Sequence, residues 1–91
     1  MPAVVIDGRD VGSEDDLHDR LAEGFAFPDY YGRNLDALAD CLSDLDGPAS
    51  LTLHHAADLD AALRRGRFGQ FDRLFRDIAA KSEDFSYTVQ D

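Results

Sequence analysis

The strongest periodic signal lies in the last third of the chain, where Phe71, Leu74, Phe75, Ile78 and Ala79 recur at i, i+3, i+4, i+7 and i+8. That spacing keeps all five on one face of a 3.6-residue helix and predicts an amphipathic helix. A second pattern puts Leu35, Leu38, Leu42 and Leu45 on one stripe and Asp36, Asp40 and Asp44 on the opposite one. Pro28 and Gly32 break the chain upstream, Asn34 suits the N-cap, and Gly47–Pro48 stops the helix. A third helix is expected from Ser13, an N-cap with Asp16 three residues on. Leu17 and Leu21 mark its buried face and Gly24 its end. Glu14, Asp15 and Asp16 have a local reason there, since the helix dipole favours negative charge in the first turn. Leu59, Ala62 and Leu63 predict a short helix over Asp58–Arg65, with Arg64 and Arg65 at its C-terminal end.

Between the helices lie three candidate strands. Ala3–Ile6 is a continuous apolar run closed by an Asp7–Gly8 turn, as in a buried parallel strand. Leu51–Leu53 reads as a second, and Phe85, Tyr87 and Val89 alternate with polar residues as a third. Strands separated by helices need crossover connections. The expected fold is therefore α/β: a single small domain over residues 1–91, a three-stranded parallel sheet packed with about four helices.

Composition adds the environment. No apolar stretch approaches the roughly 20 residues that span a bilayer, and the first residues meet Asp7 too soon for a signal peptide. The single cysteine, Cys41, rules out an internal disulfide and points to a reducing cytoplasm, as a thiol buried beside the leucines. His54 and His55, adjacent on a strand, would point to opposite faces, and His18 is remote in sequence. Neither a metal nor a cofactor is expected.

The formal charge of −10 is unevenly placed. Residues 7–46 carry 12 acidic side chains against three arginines, whereas residues 47–91 are nearly neutral. Phosphates would be repelled, so nucleic acid is not an expected ligand, and the arginines at 64, 65, 67, 73 and 76 read as a solvated surface. A basic partner, drawn by the field of the N-terminal half, fits better. The row Asp36, Asp40 and Asp44 agrees, because aspartate is a poor helix former and like charges at i, i+4 cost a few tenths of a kcal/mol. A surface row that opposes its own helix invites a reason outside the chain.

The run Phe27–Leu42, reading Pro-x-Tyr-Tyr-Gly-x-Asn-Leu-Asp-Ala-Leu-x-Asp-Cys-Leu from Pro28, closely resembles the barstar family of inhibitors of the ribonuclease barnase. Weaker likeness extends through Ala3–Gly8, Ser13–His18 and Phe75–Asp77. The resemblance implies that the chain is no enzyme, is a monomer when free, and binds a basic, barnase-like ribonuclease or related toxin. It implies a partner-binding set of Tyr30, Asn34, Leu35, Asp36, Ala39, Asp40, Ser43, Asp44 and Asp77. Asp40 matches the aspartate that enters the ribonuclease's phosphate site, Asp36 a second interface acid, and Asp77 a glutamate facing basic residues. Tyr30 matches an aromatic anchor at the interface, one of the pair Tyr30 and Tyr31 is expected in the core, and Gly32 is expected to free the turn. Ala39 and Leu45 stand where the family has tryptophans, Asp44 where it has glycine, and Lys81 where it has an acid, which implies a differently shaped partner. Two other functions fit the acid row: mimicry of nucleic acid toward another basic protein, and carboxylate catalysis. The second lacks a phosphate loop, a nucleophile with its base, or a zinc pattern.

Overall fold

A computed structural model of the chain describes residues 2–91, so Met1, the first residue of the expected domain, lies outside the described part. The elements run β1 (Ala3–Asp7), a 3-10 turn (Gly8–Asp10), α1 (Glu14–Phe25), α2 (Leu35–Ser43), β2 (Ala49–His54), α3 (Ala56–Ala62), α4 (Arg67–Lys81) and β3 (Phe85–Val89). The strands form one parallel sheet in the order β1-β2-β3. This is the α/β architecture expected of the alternating pattern. Among the described residues no helix is long and apolar enough to cross a membrane.

Register decides which side chains face the helices. Val4 lies beside Leu51 and Leu51 beside Tyr87; Ile6, Leu53 and Val89 make the next row. Val4, Ile6, Ala49, Leu51, Leu53 and Phe85 are buried, and Leu17, Leu21, Leu38, Leu42, Leu59, Phe71 and Phe75 close over them. The opposite face carries Val5, Thr52 and Thr88, and Val5 is 64% exposed. The first strand is therefore buried on one face only, contrary to its reading as a fully covered strand. An edge position in a sheet covered by one layer of helices allows this, whatever the apolar run suggests.

Several boundaries differ from the sequence pattern. α1 ends not on Gly24 but at Ala26, which takes the left-handed conformation at φ 56°. Gly24 serves packing instead, since a Cβ there would lie 2.7 and 2.9 Å from the methyls of Val4. α3 stops at Ala62, with Leu63 already extended, so Arg64 and Arg65 lie beyond it rather than in its last turn. His55 leaves the strand for a left-handed φ of 55° and starts α3, so the two histidines do not share a strand. Its carbonyl would clash with a Cβ at Gly8, which is how the 3-10 turn passes beneath the start of α3. Among the described residues no group of three or more His, Cys, Asp or Glu is placed to hold a metal.

Candidate functional site

α2 forms where the pattern places it, because its cap is complete. Asn34 is extended, its side-chain oxygen accepts from the Ala37 N–H at 2.8 Å, and its carbonyl accepts from Leu38 at 2.9 Å. Leu38 and Leu42 are buried, whereas Asp36, Asp40, Ser43 and Asp44 are exposed. Leu35, Ala39 and Cys41 are half-buried. Cys41 is thus less enclosed than expected, although burial still pushes its thiol up, with Asp44 and Asp40 adding to the shift.

The helix ends at Ser43, so Leu45 packs on the core from the following segment rather than from a completed third helical turn. Asp44 is the C-cap, its N–H donating to the Asp40 carbonyl at 3.0 Å. The last turn holds no basic residue. Negative charge at a helix C-terminus opposes the dipole by about 0.3–1 kcal/mol, so Asp40 and Asp44 stand where the helix itself disfavours them. Among the described residues none of Asp36, Asp40, Asp44 and Asp77 takes part in an ion pair. Five acids elsewhere do, Asp7 with Arg9, Glu14 with Arg67, Asp16 with Arg20, Asp19 with Arg33 and Asp72 with Arg76, whereas others such as Asp10, Asp15, Asp58 and Asp60 do not. Unpaired carboxylates are thus found over much of the surface, and what sets α2 apart is that Asp36, Asp40 and Asp44 follow one another along its exposed face.

The loop before α2 is anchored at two points to α1. The Tyr31 hydroxyl meets Nδ1 of the fully buried His18 at 2.6 Å, and the Tyr31 ring packs against Phe27 with centroids 5.0 Å apart. Two residues on, Arg33 donates to Asp19 at 2.7 Å. Immediately before these tethers Tyr30 is 86% exposed. Of the two tyrosines, one is thus a core anchor and the other a free aromatic on a held loop. The left-handed residue of the turn is Arg33, at φ 50°, rather than Gly32. A Cβ at Gly32 would approach the Asn34 side chain at 3.1 Å, so the glycine leaves room for the cap.

Asp77 is exposed on α4, which packs against α2. It shares a shallow groove of about 410 Å³ with Leu35, Gly69, Gln70, Arg73 and Leu74. Asp77 and the first turn of α2, 42 residues apart in sequence, thus join one surface. At the far end of α2, Ser43 lines a separate cleft together with Leu45 and Lys81. Gln70 and Arg73 were not legible as part of this surface, although their spacing of seven and four before Asp77 puts them on its helical face. His18 and Asp19 left no sequence signal as supports of the loop, because their partners lie 13 and 14 residues away with no periodic relation.

The site is therefore an exposed acidic helix, a fixed loop with a free tyrosine, and one further carboxylate on α4. Its groove beside Asp77 is open to solvent, and among the described residues its acids join no ion pair. Such a surface can accept several charge-assisted hydrogen bonds from a cationic partner at once.

The sequence profile of the family described as Barstar (barnase inhibitor) matches residues 1–90. A protein of Bacillus subtilis (strain 168) named "Putative ribonuclease inhibitor YrdF" is 54% identical over 54 residues, which cover 58% of this chain and 59% of that protein. The aligned part is thus somewhat over half of the relative's length. With all but the last residue of the chain matched by the family's profile, the protein belongs to the barstar family.

Proposed function

We propose that this chain inhibits a basic ribonuclease of the barnase type by laying α2 and the preceding loop across its active-site cleft. Asp40 occupies the place of the substrate phosphate, with Asp36, Asp44 and Asp77 around it and Tyr30 and Leu35 as apolar anchors. Asn34, Ala39 and Ser43 complete the contact. The family's members are inhibitors rather than enzymes, and the relative's name agrees with that role. The observation that carries the reading is the row of exposed carboxylates Asp36, Asp40 and Asp44 along α2, the last two at the helix end that disfavours negative charge. A ribonuclease must surround a phosphate with cations, and these acids offer what that site lacks when empty. The protein would act in the cytoplasm, as a monomer, protecting a cell from a ribonuclease toxin.

A different basic protein, toxin or nucleic-acid binder, is the second reading. It is favoured by Ala39, which leaves the middle of α2 without a bulky side chain. The test is titration of the protein into an RNA-cleavage assay with barnase and with basic ribonucleases of the same genome, beside Asp40→Ala, at two salt concentrations. Stoichiometric inhibition that salt weakens and Asp40→Ala loses by at least about 100-fold, roughly 3 kcal/mol, supports the proposal. A folded protein that inhibits none of them moves the role to the second reading.

A further inference from the structure

At the C-terminal end of α2 the molecule opens a second recess. It is a cleft of about 340 Å³ between the end of α2, the last turns of α4 and the starts of β2 and β3. Its floor is apolar: Leu42, Ala49 and Phe85 are buried there, and Leu45 and Ile78 are half-buried beside them. Its rim is polar, with Ser43, Ser82, Asp84 and Lys81. α2 stops at Ser43, and Leu45 and Gly47 of the connection to β2 line the cleft together with Ile78 and Lys81 of α4. Gly47, left-handed at φ 91°, turns that segment toward β2.

Lys81 is the one cation on this rim. It is exposed and, among the described residues, joins no ion pair. Its place in the last turn of α4 suits the helix dipole, but that explains a cation at the helix end rather than one beside an apolar recess. The neighbouring face of α2 is acidic, Arg73 lies in the other groove beside Asp77, and Asp84 shares this rim, but Lys81 is the cation next to the apolar floor and would repel a uniformly basic partner there. A cation over an apolar floor matches a different element: an apolar side chain flanked by a carboxylate.

We propose that this cleft receives a surface loop of the ribonuclease that presents an apolar side chain next to an Asp or Glu. The apolar group covers Leu42 and Phe85, and the carboxylate pairs with Lys81. The inference rests on the inhibitor reading above and adds a second, oppositely charged contact to it. Ser43 and Leu45 make the cleft continuous with the acidic face, so one partner can reach both. Such a contact gives specificity by charge order: a ribonuclease whose loop carries Lys or Arg at that point is rejected by the same residue.

The sign of one charge reversal tests it. The probe is a catalytically silenced ribonuclease of the barnase type that wild type binds in the titration above, and the readouts are Kd and dissociation rate for Lys81→Glu, Lys81→Met and Asp40→Ala. If Lys81 merely sits on the surface, Lys81→Glu adds negative charge facing a basic protein and tightens binding. If the cleft takes a carboxylate, Lys81→Glu weakens binding at least about 10-fold, mostly through faster dissociation, and Lys81→Met falls between. One Asp→Lys or Glu→Lys variant of the ribonuclease then restores binding to Lys81→Glu and to no other variant. Lys81→Glu binding as tightly as wild type or better, with Asp40→Ala impaired, overturns the cleft assignment and leaves the inhibitor reading standing. Asp40→Ala binding like wild type overturns both.

Discussion

Single residues carry the clearest consequences. Asp40 opposes the end of its own helix and has no cation beside it, so Asp40→Ala should leave stability unchanged or raise it by a few tenths of a kcal/mol. Urea denaturation of the free protein, set beside the loss of inhibition, checks that the residue serves binding and not folding. Tyr31 is the opposite case. Its hydroxyl is the partner of His18 Nδ1, while Nε2 of the same buried ring has none. Tyr31→Phe leaves both nitrogens unpartnered and should cost about 1–3 kcal/mol in the same measurement. It should also raise amide exchange through the loop that carries Tyr30, since one of the two tethers is gone. None of this is visible in the motif, where Tyr30 and Tyr31 are neighbours of one type; which ring is buried depends on His18, on another helix.

At the scale of elements, local chemistry explains the beginnings of helices better than their ends. Ser13 and Asn34 cap α1 and α2 as their spacing requires, and the Asp16 carboxylate also accepts from the Gly12 N–H at 2.9 Å. Asn34→Ala should therefore destabilise by about 1 kcal/mol and loosen the first turn of the binding helix. The ends depart because neighbours decide them. Ala26 takes the left-handed position expected of Gly24, since Gly24 is held against Val4, where any side chain would intrude. Gly8→Ala is the severe test of such contacts. Its Cβ would meet the backbone of His55 and, at 2.7 Å, the Leu59 nitrogen, and neither can rotate away. A loss of about 3 kcal/mol, or no folded protein, is expected from thermal unfolding.

For the molecule as a whole, buried and paired titratable groups set the response to acid. Burial holds the His18 imidazole neutral and below its ordinary pKa of 6.5, against the pull of Glu14, Asp15 and Asp19 and with that of Arg67. The unfolded chain takes up that proton and the folded one resists it. Stability is therefore fully present above about pH 6.5 and declines below it, by up to about 1.4 kcal/mol per pH unit. The Arg67 guanidinium holds Glu14 below its ordinary 4.5, so that part of the stability is present above this value and is lost as pH falls through the lower folded pKa. This pair joins α1 to α4 through two 2.8 Å bonds, 53 residues apart. Urea midpoints from about pH 8 to 2 should fall in two stages, and His18→Gln should flatten the first.

The amino-acid sequence by itself determined the order of strands and helices, the parallel sheet, the leucine and aspartate faces of α2 and its cap. These are set by periodicity and by side chains acting within a turn or two. The family motif added the expectation of a basic ribonuclease, resting on residues close together in the chain. Only the tertiary structure decided that Val5 faces outward, that Tyr31 is anchored while Tyr30 is free, and that Asp77 joins the face of α2. It also decided that α2 ends early and that a cleft lies beside Lys81. Each depends on residues distant in sequence meeting in three dimensions: strand register for Val5, the His18 ring for Tyr31, the packing of α4 on α2 for Asp77, and the course of the chain into β2 for the cleft. Spacing along a chain constrains what a helix presents, but not what stands opposite it.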